Sequence, residues 1–232
     1  MKLVYWIEQP KDHPLHAIAR KLGFLQSGWE RPHYLNHGTG IIDREAVEQS
    51  YAALDDSIEP GLPLIINLEH FKWILRDHGK PISAHEWFER HRSIAVFMRQ
   101  RWPNRLVGEW GLRIGWNKDL NKLYRNSWTC GIVSIYRRDG ETDRGWLKRV
   151  TKRYRQTAKA GKPMQLDMSP IMYERSGASR DDARPVTSTE WLRMLHVEKK
   201  LNPRWAGYWL RPDVLTDAEI EDTMRVMAER LG

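Results

Sequence analysis

Short apolar runs alternate along the chain with stretches in which apolar residues recur every three or four positions. The first pattern belongs to strands and the second to amphipathic helices. Leu3-Val4-Tyr5-Trp6-Ile7 predicts a strand, His13 to Leu22 a short helix stopped by Gly23, and Phe24-Leu25-Gln26-Ser27 a second strand. A loop rich in Gly, His and Asn, Trp29 to Gly40, leads to a helix from about Asp43 with Val47, Tyr51 and Leu54 on one stripe. Leu64-Ile65-Ile66-Asn67-Leu68 is the clearest strand, introduced by Gly61-Leu62-Pro63 and leaving through Glu69-His70.

The pattern then repeats. Ser83-x-x-Glu86 is a capping box, in which side chains satisfy the orphan N–H groups of a helix start. The helix behind it places Trp87, His91, Ala95, Met98 and Trp102 on its inner face, and Pro103-Asn104 ends it. Strands are predicted at Arg105 to Trp110 and at Gly131 to Tyr136, followed by a basic helix from Trp146 to Ala160. Gly161-Lys162-Pro163 introduces the strand Met164-Gln165-Leu166-Asp167-Met168. A second box, Thr187-x-x-Glu190, opens a helix carrying Trp191, Leu192 and Leu195, and Trp205-Ala206-Gly207-Tyr208-Trp209 is the last strand. A third box, Thr216-x-x-Glu219, opens a final helix with the inner stripe Ile220, Met224, Met227 and Leu231.

Seven to eight strand–helix units without a low-complexity linker imply one α/β domain over residues 1–232, with parallel strands joined by right-handed crossovers. A small, irregular (β/α)8 barrel and an open doubly wound sheet both fit. The chain has neither G-x-G-x-x-G after its first strand nor a G-x-x-x-x-G-K-[ST] loop, so the usual nucleotide-binding case for the open sheet is absent, and the barrel is preferred.

Composition narrows the partners. Hydrophobic residues at 41% and charged residues at 29% suit a folded chain and exclude a disordered one. No apolar run approaches the roughly 20 residues of a membrane span, and the N-terminus turns charged before a signal-peptide core can form. A cytoplasmic protein is expected, or one released by lysis in the manner of phage wall enzymes. The single cysteine, Cys130, rules out an internal disulfide and lies in an apolar run that suits a buried thiol. A net charge of +8 and a pI near 9.6 fit an acidic substrate, a nucleic acid or merely a basic surface. The basic residues are densest at Lys148-Arg149, Lys152-Arg153 and Arg155.

Parallel strands present their C-terminal ends to the functional face. Those ends carry Glu8, Glu69, Glu109 and Asp167, with Trp6, Trp110, Tyr173, Tyr208 and Trp209 nearby, in a chain of twelve tryptophans. Two carboxyls in unlike environments divide labour: a desolvated one keeps its proton, while a hydrated one stays ionised. Such a pair hydrolyses glycosidic bonds, with carboxyls about 5 Å apart for retention and about 6.5–9.5 Å apart for inversion. Flat aromatic rings suit the apolar faces of sugars.

Strands ending Ile66-Asn67-Leu68-Glu69, Val107-Gly108-Glu109-Trp110 and Gln165-Leu166-Asp167-Met168, with a late Tyr208-Trp209, resemble the (β/α)8-barrel glycoside hydrolases. The resemblance implies a glycosidase acting on an oligo- or polysaccharide, an acidic glycan included, and needing no cofactor. It implies Glu109 as general acid, Glu69 or Asp167 as base or nucleophile, and Trp6, Trp110, Tyr173, Tyr208 and Trp209 as sugar-binding surfaces. Gly108 stands where the largest clan of these enzymes has asparagine, and the last strand brings no glutamate. Inversion, another barrel family or a barrel that binds sugar without cutting it therefore stay open.

A catalytically silent barrel serving as a binding or structural module is the second reading. A nucleic-acid-binding protein, using the basic helix and tryptophan stacking, is the third. For a metal, His33 and His37 fall in a loop with Pro32 and Gly38, no HExxH occurs, and Glu69, His70 and Asp167 offer only a weak mixed set, so no metal site is assigned.

Overall fold

A computed structural model of the chain describes residues 1–7, 12–30, 43–67, 84–110, 127–134, 137–138, 141–159, 161–173, 183–210 and 214–232. The strands are β1 (Lys2–Ile7), β2 (Leu25–Gln26), β3 (Gly28–Glu30), β4 (Leu64–Asn67), β5 (Val107–Trp110), β6 (Gly131–Ser134), β7 (Arg137–Arg138), β8 (Met164–Met168), β9 (Ile171–Tyr173), β10 (Ala183–Pro185) and β11 (Trp205–Leu210). The helices are α1 (Pro14–Lys21), α2 (Arg44–Ser57), α3 (Ala84–Arg101), α4 (Asp143–Ala158), α5 (Ser188–Leu201) and α6 (Asp217–Leu231). Contacts divide the chain into two compact units: a first of Met1–Gln26, Val133–Arg155 and Met164–Gly232, and a second of Ser27–Ile132 and Gln156–Pro163.

In the first unit a sheet runs in the order β2-β1-β11-β8-β6, where β6 is the strand in which the chain passes between units. β1 pairs in parallel with β2 and β11, and β11 with β8, as alternating strands and helices require. A small second sheet, β10-β9-β7, was not foreseen. Its strands are two or three residues long, and β10 pairs antiparallel to β9 through Pro185, which reads as a breaker in sequence. In the second unit β3, β4 and β5 form a parallel sheet in that order.

The helices start where their caps direct. Thr187 and Thr216 each accept from the N–H three residues on, at 3.3 Å, while Glu190 and Glu219 reach back to the cap N–H groups at 2.8 Å. The expected stripe of α6 is buried in full: Ile220, Met224, Met227 and Leu231. So are Val47, Tyr51 and Leu54 of α2, and Ala95 and Met98 of α3 with Trp102 just beyond its end. In α5, Trp191 and Leu195 are buried but Leu192 is exposed, its place taken by Met194, Val197 and Glu198. The box at Ser83 and the side chains of Trp87 and His91 lie outside the described residues. Helix α4 begins at Asp143, three residues before the expected start at Trp146.

Two features tie the second unit together. Tyr51 on α2 donates its hydroxyl to the Ile65 carbonyl of β4 at 2.5 Å. Arg105 pairs with Asp55 and donates to the carbonyls of Asp55 at 2.8 Å and Glu59 at 2.9 Å. The last turn of α2 contains no basic residue, so Arg105 supplies the cation that its carbonyls favour. Arg105→Met should cost about 2 kcal/mol, the worth of hydrogen bonds to a charged group. By contrast Arg101, in a solvent-exposed pair with Glu48, should cost under about 1 kcal/mol on the same change. Urea midpoints of the two variants measure the difference.

Candidate active site

Side chains alternate between the two faces of a strand, and the helices identify which face is which in the first unit. The Tyr5 hydroxyl meets His16 Nδ1 of α1 at 3.1 Å, and the Tyr208 hydroxyl meets Thr223 Oγ1 of α6 at 2.7 Å. Trp191 of α5 sets its ring edge-on to Tyr208, 6.1 Å between centroids. Leu3, Tyr5 and Ile7 of β1 and Ala206 and Tyr208 of β11 therefore turn to the helices. Val4 and Trp6, Gly207 and Trp209 turn the other way.

On that opposite face the register aligns Trp6 with Trp209 and Gly207 with Asp167. The indoles of Trp6 and Trp209 lie nearly parallel, 7° apart with centroids at 5.8 Å. Both are half-buried and sit next to last in their strands, at the C-terminal end of the parallel sheet. One pleat below, Asp167 lies against Gly207, where any Cβ would run into its Oδ1.

Asp167 is 4% exposed. Gln165, two residues earlier and on the same face, donates from Nε2 to Oδ1 at 2.8 Å, while Oδ2 accepts no hydrogen bond from the described residues. Burial disfavours the ionised form and lifts the pKa from the ordinary carboxylate value to about 7, against the lowering effect of Gln165. A second buried carboxyl, Glu198, belongs to α5 on the helix side. Burial first, and then the charge of Asp167, hold its pKa well above the usual carboxylate range.

The other expected residues are placed as follows. Tyr208 is fully buried among α5 and α6, and burial raises its phenol pKa further despite the Thr223 bond. In the second unit Glu109 is 1% exposed in β5 and shares a face with its register partner Ile66 of β4. Trp110 is also buried but, as the next residue along the strand, points to the opposite face from Glu109. Gly108 admits the Cys130 thiol: a Cβ there would stand 2.5 Å from Sγ and 2.7 Å from Ile132 Cδ1. Glu69 and the Tyr173 side chain lie outside the described residues. Among the described residues no group of three or more His, Cys, Asp or Glu side chains could hold a metal ion.

Sequence reasoning missed Gln165 and Gly207. Both left a signal, since Gln165-x-Asp167 has the two-residue spacing of one strand face, and a glycine inside a strand marks a close approach.

No protein-family model and no curated protein matches the sequence. Among solved structures, bee venom hyaluronidase in a monoclinic crystal aligns with a TM-score of 0.63 at 11% identity, over 97% of this chain and 100% of that one. Bee venom hyaluronidase in complex with a hyaluronic acid tetramer aligns with a TM-score of 0.57 at 13% identity, over 100% of this chain and 97% of that one. The likeness is one of fold: the expected α/β, (β/α)8-type architecture is the one that the chain shares with these two structures. At this identity the likeness is one of backbone, so side-chain chemistry has to be argued from the residues present.

The raised pKa of Asp167 has a signed consequence for stability. The native state holds this proton until about pH 7, while the unfolded chain releases it near pH 4. Its contribution is thus full below pH 4, falls as pH rises to 7, and stays at its lowest above. Asp167→Asn removes that loss. The variant should gain on the parent between pH 4 and pH 8 by up to about 4 kcal/mol, the value of a three-unit pKa difference. Thermal unfolding across that range measures it; a constant difference would mean the carboxyl is not buried in its charged form.

Proposed function

We propose that this chain is a glycoside hydrolase-like enzyme that cleaves a polysaccharide or cell-wall glycan by carboxyl chemistry. The observation that carries the reading is Asp167: a carboxyl buried one pleat below a half-exposed indole pair, at the C-terminal ends of parallel strands. A base poised near neutral pH is most effective, because it is both ionised and basic enough to take a proton. Asp167, with a pKa of about 7, meets that condition. Glu109 is the proposed general acid, with Glu69 the alternative base. Trp6 and Trp209 are the proposed sugar platform, with Tyr173 as a further contact, while Trp110, on the face of β5 away from Glu109, is left to packing. Tyr208 is left to side-chain packing. The support from fold is that both aligned structures are of a hyaluronidase, one of them holding a hyaluronic acid tetramer.

One observation favours a silent sugar-binding module instead: Asp167 Oδ2 is out of reach of solvent. A screen of polysaccharides and peptidoglycan for release of reducing ends separates the readings. Glu109→Gln and Asp167→Asn should each lower the rate by about 10²–10⁴, the usual worth of an acid or base. Parent activity should rise with pH through about 7, as Asp167 loses its proton. Unchanged activity in both variants would defeat the carboxyl assignment. Glycan binding that depends on Trp6 and Trp209 without any cleavage would establish the silent module.

A further inference from the structure

Helix α4 has a charge distribution unlike that of the other long helices. Its sole acid is Asp143, at the first position, and from Arg144 to Arg155 it carries six cations and no acid. Helices α2, α3, α5 and α6 each mix both signs.

Four of these cations, Arg144, Lys148, Lys152 and Arg155, follow spacings of four, four and three residues. At about 100° per residue they fall within an arc of about 80°, and at about 1.5 Å per residue they span about 16 Å along the axis. All four are exposed and belong to the first unit. None makes an ion pair or side-chain hydrogen bond with the described residues. The acids next to them are engaged elsewhere: Glu141 pairs with Arg149 at 2.6 Å, and Asp143 pairs with Arg193. Like charges four apart on a helix destabilise it. The stripe therefore works against the helix that carries it, and a solvated face has no need of such an arrangement.

We propose that this stripe is a docking surface for an anionic polysaccharide, whose regularly spaced carboxylate or sulfate groups run along α4. The charge complementarity stands by itself, and the choice of a glycan rests on the proposed function above. The local surface favours a glycan over a single-stranded nucleic acid. Single strands are held by aromatic side chains between the cations, but Trp146 and Tyr154 are buried and the one large apolar side chain exposed here is Leu147.

The test compares the parent with Lys148→Gln/Lys152→Gln/Arg155→Gln. A control, Lys21→Gln/Lys199→Gln/Lys200→Gln, removes the same net charge from exposed residues of α1 and α5. Polygalacturonate and heparin are the anionic probes, dextran the neutral one, and single-stranded and duplex oligonucleotides the competing class. At low salt the stripe variant should bind the anionic glycans at least about tenfold more weakly and with a shallower salt dependence, while the control stays within about twofold. Its Tm should hold or rise, since like-charge repulsion has been relieved. No loss in the stripe variant, or equal loss in both variants, would overturn the proposal. So would oligonucleotides that bind more tightly than the glycans through the same residues. Cleavage by the parent separates this idea from the catalytic one: anionic glycan bound through α4 with no cleavage by the parent sinks the hydrolase and leaves the docking surface standing.

Discussion

Asp167 and Gly207 face each other across β8 and β11, and the missing side chain at Gly207 is what gives the carboxyl its place. Out of water, the acid holds its proton almost to neutrality and, among the described residues, takes its hydrogen bond from Gln165. The same register carries Trp209 one pleat further and lays it on Trp6. An acid of shifted pKa and a flat apolar surface thus come from a single alignment of parallel strands. A slip of one residue would turn both toward the helices.

The arrangement costs stability. Two carboxyls, Asp167 and Glu198, are buried in the first unit with oxygens that accept no hydrogen bond from the described residues. Each is held away from its ordinary pKa chiefly by the loss of water. What offsets this is the apolar layer on the other face of the sheet, where Leu3, Tyr5, Ala206 and Tyr208 are buried together with Trp191, Met224 and Met227 of the helices. Groups kept in an unfavourable charge state gather where chemistry is done, and this is the physical basis for reading Asp167 as functional.

Charge adds a second, separate theme. The excess of +8 is not spread evenly over the helices, because α4 concentrates it while α2, α3, α5 and α6 each carry both signs. A helix that repels itself along one face gains from an anion laid against it. Binding and cleavage are then distinct tasks resting on different residues.

Much of this was readable in the order of residues. Capping boxes at Thr187 and Thr216, the stripe of α6 and the central parts of β1, β4, β5, β8 and β11 follow from local spacing, since spacing alone decides which residues share a side of a helix or strand. Asp167 stood out as a strand-end acid for the same reason. Spacing does not say which side a neighbour will cover. Tyr208 and Trp209 looked equivalent until α5 and α6 took the first and left the second on the other face, stacked on Trp6. Glu109 and Trp110, adjacent in the chain, went to opposite faces. Leu192 stayed in solvent, and β7, β9 and β10 formed from runs too short to carry a period. The periodic pattern belongs to each segment alone, whereas burial, and with it the pKa of a carboxyl, depends on what another segment places against it.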